Sequence, residues 1–428
     1  MKNKKAHIVA VNMGYGHQRT AYPLRIFSPD EKVINANDYE GIPEKDKKVW
    51  ESSRTFYEFI SRFKRVSLIG NIAFATFNKF QQIPSFYPRR DLSKPTFGLK
   101  KIFSLIDKGW GEDLISKLSK NPLPIITSFF IPAFMAEEFN YPGEIYCVVS
   151  DADCSRAWAP LNPSRSKIKY FAPNLWVMNR LKLYGVKSEN IFLTGFPLPL
   201  ENIGTKKQEV VKKDLGARIL NLDPEKRFHD KYKSFVDRSM KVSHNKKTHI
   251  LSIMFAIGGA GAQKEMVMEY IKNLYDKIKK KEIKIYLSAG IRKEVSDYFT
   301  KSLKALKLQD NIGKNIEIIY EEDINKYFET FDKKLRKTDV LWTKPSELCF
   351  YSGLGVPILM APTIGSQEDY NKNWLLGIGA GVPQINPKYA SQWLFDYLDS
   401  GRFAEAALAG FIEVENMGTY NIEKICFG

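Results

Sequence analysis

The chain has 428 residues, which is more than one ordinary hydrophobic core holds and enough for two domains. Hydrophobic residues make up 44% and charged residues 26%, a composition that excludes a disordered chain. The formal net charge of +17 predicts a polyanionic partner, for which nucleic acid, acidic lipid headgroups and phosphorylated substrates all qualify. The four cysteines are scattered without metal-binding spacing, which is typical of reduced thiols in a cytoplasmic protein.

Short apolar runs alternate with helical stretches along the first part of the chain. This alternation predicts an α/β domain whose parallel sheet is covered on both faces. The first apolar run ends in a glycine turn, and residue 17 onward is able to open a helix. The predicted strands are 6–13, 33–36, 124–127, 144–150, 170–172, 175–178 and 190–194.

Residues 205–248 differ in composition from the segments on either side. They are dense in Lys, Asp, Glu and Arg, and we interpret them as a charged linker with one or two exposed helices. A second α/β series follows, with predicted strands at 249–256, 283–288, 316–320, 340–341 and 357–360. The predicted domains are therefore 1–204, the linker 205–248, a second Rossmann-like domain 249–388 and C-terminal helices 389–428.

Each half of the chain opens with a strand that enters a glycine turn. The first turn is Gly14-Tyr-Gly16 followed by His17, and the second is Gly258-Gly259-Ala-Gly261. Such turns bring backbone N–H groups and a helix N-terminus to the carboxyl edge of a sheet, where open α/β folds bind ligands. A histidine at that edge is a candidate general base, and the alternative is a structural histidine beside a tight turn needed only for packing.

Two polar clusters follow successive strands in the second half. They predict a site that hydrogen-bonds sugar hydroxyls, and the alternative is ordinary capping with a solvated loop. The candidate donor-binding residues are Gly258, Gly259, Gly261, Lys344, Ser346, Glu347, Gln367, Glu368 and Asn371.

An acidic loop, Asp151-Ala-Asp153, follows the predicted strand 144–150. Its position at the sheet edge makes Asp151 a second candidate base beside His17, and the alternative is a cap at the strand end. Either His17 or Asp151 is expected to take a proton from a hydroxyl nucleophile.

The motifs together resemble a group of glycosyltransferases. The group contains monogalactosyldiacylglycerol synthase, the processive diacylglycerol glucosyltransferases and, more distantly, MurG. The resemblance extends from about residue 6 to 382. The matching motifs are Gly14–His17, Val148-Val-Ser-Asp151, Trp158, Thr194-Gly-Phe-Pro197, Lys344-Pro345, Gly355-Val-Pro357, Gln367-Glu368, Asn371 and Gly379-Ala-Gly381.

The resemblance implies a GT-B fold, in which two Rossmann-like domains face a cleft. It implies a metal-independent, inverting hexosyltransferase that takes a UDP-sugar as substrate and needs no cofactor. It implies that a C-terminal helix, within 389–398 or 403–410, returns towards the N-terminal domain. The residues expected on the acceptor side are Gly14, Gly16, Asp153 and Trp158.

Residues 45–101 combine thirteen basic with four acidic residues and eleven aromatics. That composition is typical of a surface at a membrane interface, and the alternative is that the aromatics pack on the core. We therefore expect a lipid acceptor and peripheral association with the inner face of the cell membrane. The expected membrane contacts are Lys47, Lys48, Arg62, Lys64, Arg65, Arg89 and Arg90, with Trp50, Phe56, Phe59, Phe63, Phe74 and Phe77.

Three other functions are compatible with parts of the sequence. A UDP-sugar 2-epimerase shares the two-domain pattern but needs no lipid-facing surface, and an inactive nucleotide-sugar-binding protein shares the donor motifs. A nucleic-acid-binding protein fits the net charge, but no RNA- or DNA-binding motif is present, so we expect no nucleic-acid partner.

Overall fold

The computed structural model describes residues 4–52, 83–239, 249–258, 261, 263–363 and 366–428. The chain divides into two compact units. Unit 1 comprises Met1–Leu198, Thr363–Asn371 and Met417–Gly428, and unit 2 comprises Pro199–Pro362 and Lys372–Asn416.

Unit 1 is built on a six-stranded parallel sheet with the strand order β2-β1-β3-β4-β5-β6. The order reverses after the first two strands, as in doubly wound α/β domains. The strands are β1 His7–Ala10, β2 Ile34–Asn35, β3 Ile125–Thr127, β4 Ile145–Val148, β5 Lys169–Ala172 and β6 Ile191–Leu193. The α-helices of this unit include Tyr15–Ala21, Phe97–Ile106, Glu112–Ser119, Phe130–Glu138, Leu175–Leu183 and Gly418–Phe427.

Unit 2 has a second six-stranded parallel sheet, with the order β12-β11-β10-β7-β8-β9. Its strands are β7 Leu251–Ala256, β8 Ile283–Gly290, β9 Ile316–Tyr320, β10 Val340–Thr343, β11 Ile358–Met360 and β12 Gly381–Pro383. Its α-helices include Leu200–Ile203, Glu209–Leu222, Arg227–Ser239, Lys264–Asn273, Tyr275–Lys279, Lys293–Ala305, Ile324–Leu335, Ala390–Asp399 and Arg402–Glu413. The helix Ser366–Gly377 contributes its first residues to unit 1 and its remainder to unit 2.

The central strands are buried on both faces because helices cover each sheet from two sides. All four residues of β4 and all four of β10 are buried. A strand covered on both faces is a nearly continuous apolar run instead of an alternating one. The predicted pair of α/β domains with parallel sheets is therefore confirmed.

The predicted strand at 175–178 is wrong, because this segment forms the first part of the helix Leu175–Leu183. The Asn174 side chain accepts a hydrogen bond from Val177 N over 2.8 Å and so caps the helix N-terminus. Strand β12 at Gly381–Pro383 was not predicted, since it has only three residues and two of them are Gly and Pro.

The segment predicted to be an exposed linker contains a helix that packs into unit 2. Helix Glu209–Leu222 places Leu215, Ile219 and Leu222 in the core of that unit. Its buried Arg218 donates hydrogen bonds to the Thr338, Leu354 and Gly355 carbonyl oxygens. The segment was predicted to be exposed because its many charged residues obscure the apolar face of the helix in the sequence pattern.

The last helix belongs to the first unit, whereas the two helices before it remain in the second. Ile422 of helix Gly418–Phe427 is buried in a cluster with Ile8, Ile126 and Phe171 of the unit 1 sheet. Helices Ala390–Asp399 and Arg402–Glu413 pack in the unit 2 core. The C-terminal return therefore occurs later in the chain than the segments 389–398 and 403–410 that the sequence indicated.

The aromatic and basic segment 45–101 is described only in part. Trp50 is buried and stacks on Trp110, with 4.6 Å between ring centroids, so the prediction that it inserts into a membrane is wrong. Arg62, Lys64, Arg65, Phe56, Phe59, Phe63, Phe74 and Phe77 lie outside the described residues. Within the part of the chain that the structure describes, no helix has the length and apolarity needed to cross a bilayer.

The contact between Gly418 and the segment after β6 gives a test of the fold. A Cβ at Gly418 would lie 2.1 Å from the Phe196 carbonyl oxygen, so Gly418→Ala must displace the last helix. We expect unit 1 to lose about 2 kcal/mol of unfolding free energy, and its melting temperature to fall by roughly 4–8 °C. Differential scanning calorimetry measures this change.

The matched control is Gly216→Ala in helix Glu209–Leu222, where an added Cβ meets nothing within 4 Å. Alanine is the better helix former by about 1 kcal/mol, so this variant should melt at or above the wild-type temperature. Wild-type melting of Gly418→Ala would contradict the described docking of the last helix.

Candidate active site

The carboxyl ends of three neighbouring strands meet at one edge of the unit 2 sheet. Thr343, at the end of β10, pairs with Ala256 of β7 on one side and with Met360 of β11 on the other. On the far side of β7, Ala256 pairs with Ser288 of β8. Segments that follow these strands therefore lie side by side, although they are up to about a hundred residues apart in sequence.

The glycine turn after β7 lies directly against Lys344. A Cβ at Gly258 would be 2.8 Å from Lys344 Cε, so the absence of a side chain at Gly258 makes room for the lysine. Gly261 has a φ of 65°, and its N–H donates to the Gly258 carbonyl oxygen over 2.8 Å. That bond occupies the Gly261 N–H, which therefore is not the phosphate donor that the sequence indicated. Gly259 lies outside the described residues.

The glycine turn is also tied to the end of β11. Gln263 Nε2 donates to the Pro362 carbonyl oxygen over 2.9 Å. Gln263 immediately precedes the helix Lys264–Asn273, whose first-turn amides have no carbonyl partner within the helix. The helix N-terminus therefore carries a partial positive charge beside the turn.

Arg292 is a second cation at this edge, and the sequence analysis did not identify it. It follows β8, and its Cδ lies 3.9 Å from the position of a Cβ on Gly261. Arg292 Nη1 contacts Glu294 Oε1 at 3.3 Å. The sequence does contain a signal for Arg292, because this arginine follows two residues after Gly290, the glycine that ends β8. Strand β8 is the neighbour of β7, which leads into the glycine turn.

Lys344 and Arg292 thus flank the glycine turn from the two strands on either side of β7. Two cations, a turn without bulky side chains and a helix N-terminus form an environment that favours a diphosphate. The geometry brings together Gly258, Gly261 and Lys344 among the predicted donor-binding residues.

The remaining predicted donor-binding residues occupy two helical segments. Ser346 Oγ lies 3.4 Å from the Lys344 carbonyl oxygen, and the buried Glu347 begins the 3₁₀ helix Glu347–Leu354. Gln367 and Glu368 are half-buried in the first turn of helix Ser366–Gly377. Their contact with a donor stays a prediction.

Two hydrogen bonds of Asn371 lie within unit 1. Its Oδ1 accepts from Ala152 N over 2.8 Å, and its Nδ2 donates to Asp151 Oδ1 over 3.1 Å. These bonds engage both ends of the amide side chain, and the donor-binding role that the sequence indicated for Asn371 stays a prediction.

His17 lies on the helix that follows β1, and its ring packs on aromatic side chains. The ring centroid is 4.5 Å from that of Phe129 and 6.5 Å from that of Trp158. His17 Nδ1 is 2.9 Å from the Ser128 carbonyl oxygen. A carbonyl only accepts, so Nδ1 carries the proton and, in the neutral ring, Nε2 carries the lone pair.

Burial lowers the pKa of His17 to about 4, and the bond to the Ser128 carbonyl opposes this shift only in part. A neutral imidazole is therefore the dominant form at pH 7. The fixed tautomer leaves the Nε2 lone pair able to accept a proton, whereas the lowered pKa makes the ring a weaker base than an ordinary histidine.

The two acids of the loop after β4 differ in their surroundings. The buried Asp153 accepts two hydrogen bonds from Arg180, at 2.9 and 2.8 Å, and one from Trp176 Nε1 at 2.7 Å. Asp151 is half-buried. The acceptor-side role predicted for Asp153 is therefore corrected to a buried ion pair, and Asp151 stays the candidate base of this loop.

The other predicted acceptor-side residues support this edge of the sheet in different ways. Gly14 has a φ of 119°, a conformation that L side chains rarely adopt, and it precedes the helix that carries His17. Gly16 is within that helix and accepts a hydrogen bond from Thr20 through its carbonyl. Trp158 is buried against Phe130, so it packs near His17 and is not exposed to contact an acceptor.

Two Rossmann-like units, each with a six-stranded parallel sheet, define an α/β protein of the GT-B fold class. Residues 234–423 match a family model described as a domain of unknown function, DUF6938. No curated protein matches the chain in sequence.

Several solved structures are similar to this chain. The S. aureus MnaA–UDP co-structure is 13% identical, with coverage of 99% of this chain and 95% of that chain and a TM-score of 0.48. UDP-GlcNAc 2-epimerase from Neisseria meningitidis, bound to UDP-GlcNAc, is 13% identical, with coverages of 78% and 83% and a TM-score of 0.45. Acinetobacter baumannii MurG is 14% identical, with coverages of 83% and 88% and a TM-score of 0.43. We base the function of this chain on its own residues.

The ionisation of His17 is directly measurable, since the chain has only five histidines. We expect the ring to titrate with a pKa of about 4, because burial disfavours the imidazolium. Carbon-13 NMR of histidine-labelled protein follows the ring signals from pH 7.5 downward, and His17→Gln assigns the His17 resonance. A midpoint near the ordinary histidine value of about 6.5 would contradict the buried, neutral ring.

Proposed function

We propose that the protein is an inverting, metal-independent hexosyltransferase that moves a sugar from a UDP-sugar to the hydroxyl of a lipid acceptor. The observation that carries the proposal is the glycine turn after β7, with Lys344 packed on Gly258 and Arg292 beside Gly261. This arrangement suits the diphosphate of a nucleotide sugar and needs no bound cation to neutralise it.

In this reaction the bond between the anomeric carbon and the diphosphate oxygen breaks, and UDP leaves with its electron pair. The Lys344 ammonium, the Arg292 guanidinium and the N-terminus of helix Lys264–Asn273 stabilise the negative charge that develops on the leaving group. Ser346, Glu347, Gln367 and Glu368 supply the polar groups that select the sugar and the nucleoside.

The acceptor hydroxyl attacks the anomeric carbon from the opposite face, which inverts its configuration. His17 Nε2 takes the hydroxyl proton, because the bond from Nδ1 to the Ser128 carbonyl fixes the tautomer with Nε2 unprotonated. Asp151 accepts a hydrogen bond from the acceptor.

A lipid acceptor presents its hydroxyl at the headgroup level, so the protein must reach a membrane surface. Tyr87 and Phe97 are 63% and 85% exposed, and the exposed Lys100 and Lys101 lie on the helix that begins at Phe97. Exposed aromatics beside basic side chains favour shallow binding to an anionic bilayer. We place this binding at the inner face of the cell membrane.

The transfer reaction is tested by the release of UDP from a panel of UDP-sugars with diacylglycerol-containing vesicles. We expect UDP release to require the acceptor. Lys344→Ala and Arg292→Ala should each lower kcat/KM by about 10²-fold, because each removes a charge from the leaving-group site. Lys293→Ala removes an exposed charge next to Arg292 and should retain wild-type activity.

The possible results separate the transferase from the epimerase. Acceptor-independent change of the sugar configuration at C2, detected by proton NMR, would replace the transferase proposal with an epimerase. If both Lys344→Ala and Arg292→Ala turn over at the wild-type rate, the assignment of the glycine turn to the donor site is wrong.

Membrane binding is tested by co-sedimentation with vesicles of neutral and anionic lipid. Each basic side chain near an acidic surface is worth about 1 kcal/mol, so the double variant Lys100→Ala, Lys101→Ala should bind anionic vesicles about 30-fold more weakly. The matched control is Lys279→Ala, Lys280→Ala in unit 2, which changes the net charge equally. Equal losses in the two double variants would indicate a nonspecific charge effect and contradict this surface.

A further inference from the structure

The loop that follows β4 is held in place by side chains from the helix Leu175–Leu183 and its two caps. Asn174 Nδ2 donates to the Ala152 carbonyl oxygen over 3.0 Å, and the Tyr184 hydroxyl donates to the Cys154 carbonyl oxygen over 2.8 Å. Arg180 binds the Asp153 carboxylate through two nitrogens. Hydrogen bonds that fix both backbone and side chains make the loop a rigid support.

Asn371 provides further support, and it binds two different parts of the loop at once. Its Oδ1 accepts from the backbone N–H of Ala152, and its Nδ2 donates to Oδ1 of Asp151. The Asn371 side chain is 1% exposed, so these bonds are shielded from competition with water. An amide has one donating and one accepting end, and here each end meets its complement.

In the proposed reaction, Asp151 is the acid of the loop that contacts the substrate. One carboxylate oxygen of Asp151 is held by Asn371, which restricts rotation of the carboxylate about its side-chain bonds. Asp153 has no comparable freedom, because Arg180, Trp176 and the Cys154 N–H all donate to it. The two acids therefore have different roles in the proposed reaction: Asp151 contacts the substrate, and Asp153 stabilises the loop.

We propose that Asn371 is a positioning residue that orients the Asp151 carboxylate towards the acceptor, and that it is not a donor-binding residue. The inference rests on the proposed transfer reaction. It assigns the end of the segment Gln367–Asn371 to the acceptor side, whereas the sequence pattern placed the whole segment at the donor. Removing Asn371 should therefore impair use of the acceptor and leave donor binding intact.

Two substitutions separate the two bonds of Asn371. Asn371→Asp keeps the shape and the acceptor for the Ala152 N–H, but at neutral pH it cannot donate to Asp151 and places a like charge beside it. Asn371→Ala removes both bonds. The matched control is Asn311→Ala in unit 2, which also deletes a buried asparagine that bonds to a backbone carbonyl.

Steady-state kinetics with acceptor and donor varied separately test the role in catalysis. We expect Asn371→Asp to lower kcat/KM for the acceptor by about 10–100-fold, because misplacement of a reacting group by a fraction of an ångström is costly. The dissociation constant of the UDP-sugar should change less than about threefold. In an Asp151→Ala background, Asn371→Asp should have no further effect, since it acts through Asp151.

A second measurement does not depend on turnover. Hydrogen–deuterium exchange of peptides that contain Ala152 should become faster in Asn371→Ala and stay at the wild-type rate in Asn311→Ala. Faster exchange in a protein that transfers no sugar would refute the proposed function while retaining the structural link between Asn371 and the loop.

Other results would overturn the positioning role. A loss of UDP-sugar affinity in Asn371→Asp larger than the loss of acceptor kcat/KM would make Asn371 a donor-binding residue. An undiminished effect of Asn371→Asp in the Asp151→Ala background would show that it does not act through Asp151. Unchanged exchange at Ala152 in Asn371→Ala would contradict the contact itself.

Discussion

The candidate donor site depends on the close approach of Lys344 to Gly258, where a Cβ would lie 2.8 Å from the present position of Lys344 Cε. The parallel register of β7 and β10 brings the two positions together, because strands that run in the same direction end at the same edge. Arg292 reaches the same turn from β8 on the other side. The positive charge at this edge is thus a consequence of strand order, and the proposed stabilisation of a leaving diphosphate follows from it.

In unit 1, burial and hydrogen bonds likewise position the candidate catalytic groups. The Asp153–Arg180 pair is buried, and its hydrogen bonds satisfy the charges that would otherwise be costly away from water. This pair and Asn371 bind the loop, where Asn371 donates a hydrogen bond to Asp151, while His17 is kept neutral by burial. Both groups lie after strands of one sheet, and elements of the sheet hold a site more precisely than a mobile loop does.

Much of the fold follows from the sequence, because short apolar runs, glycine turns and helical stretches alternate twice. The sequence did not predict the helix Leu175–Leu183, whose apolar start resembles a strand, since the Asn174 cap was overlooked. Helix Glu209–Leu222 was missed as core because charged residues surround its apolar face. Among site residues, Gly258 and Lys344 were both predicted as donor-binding residues, whereas Arg292 and the described hydrogen bonds of Asn371 depend on strand order and long-range contacts that spacing does not reveal.

The central claim is that the glycine turn in unit 2 holds the diphosphate of a nucleotide sugar. A crystal structure of the protein with UDP bound tests that claim most directly. We expect diphosphate density against Gly258, with phosphate oxygens within hydrogen-bonding distance of Lys344 Nζ and the Arg292 guanidinium. Diphosphate density at another edge of the sheet, with Lys344 and Arg292 making no contact with it, would contradict the proposed donor site.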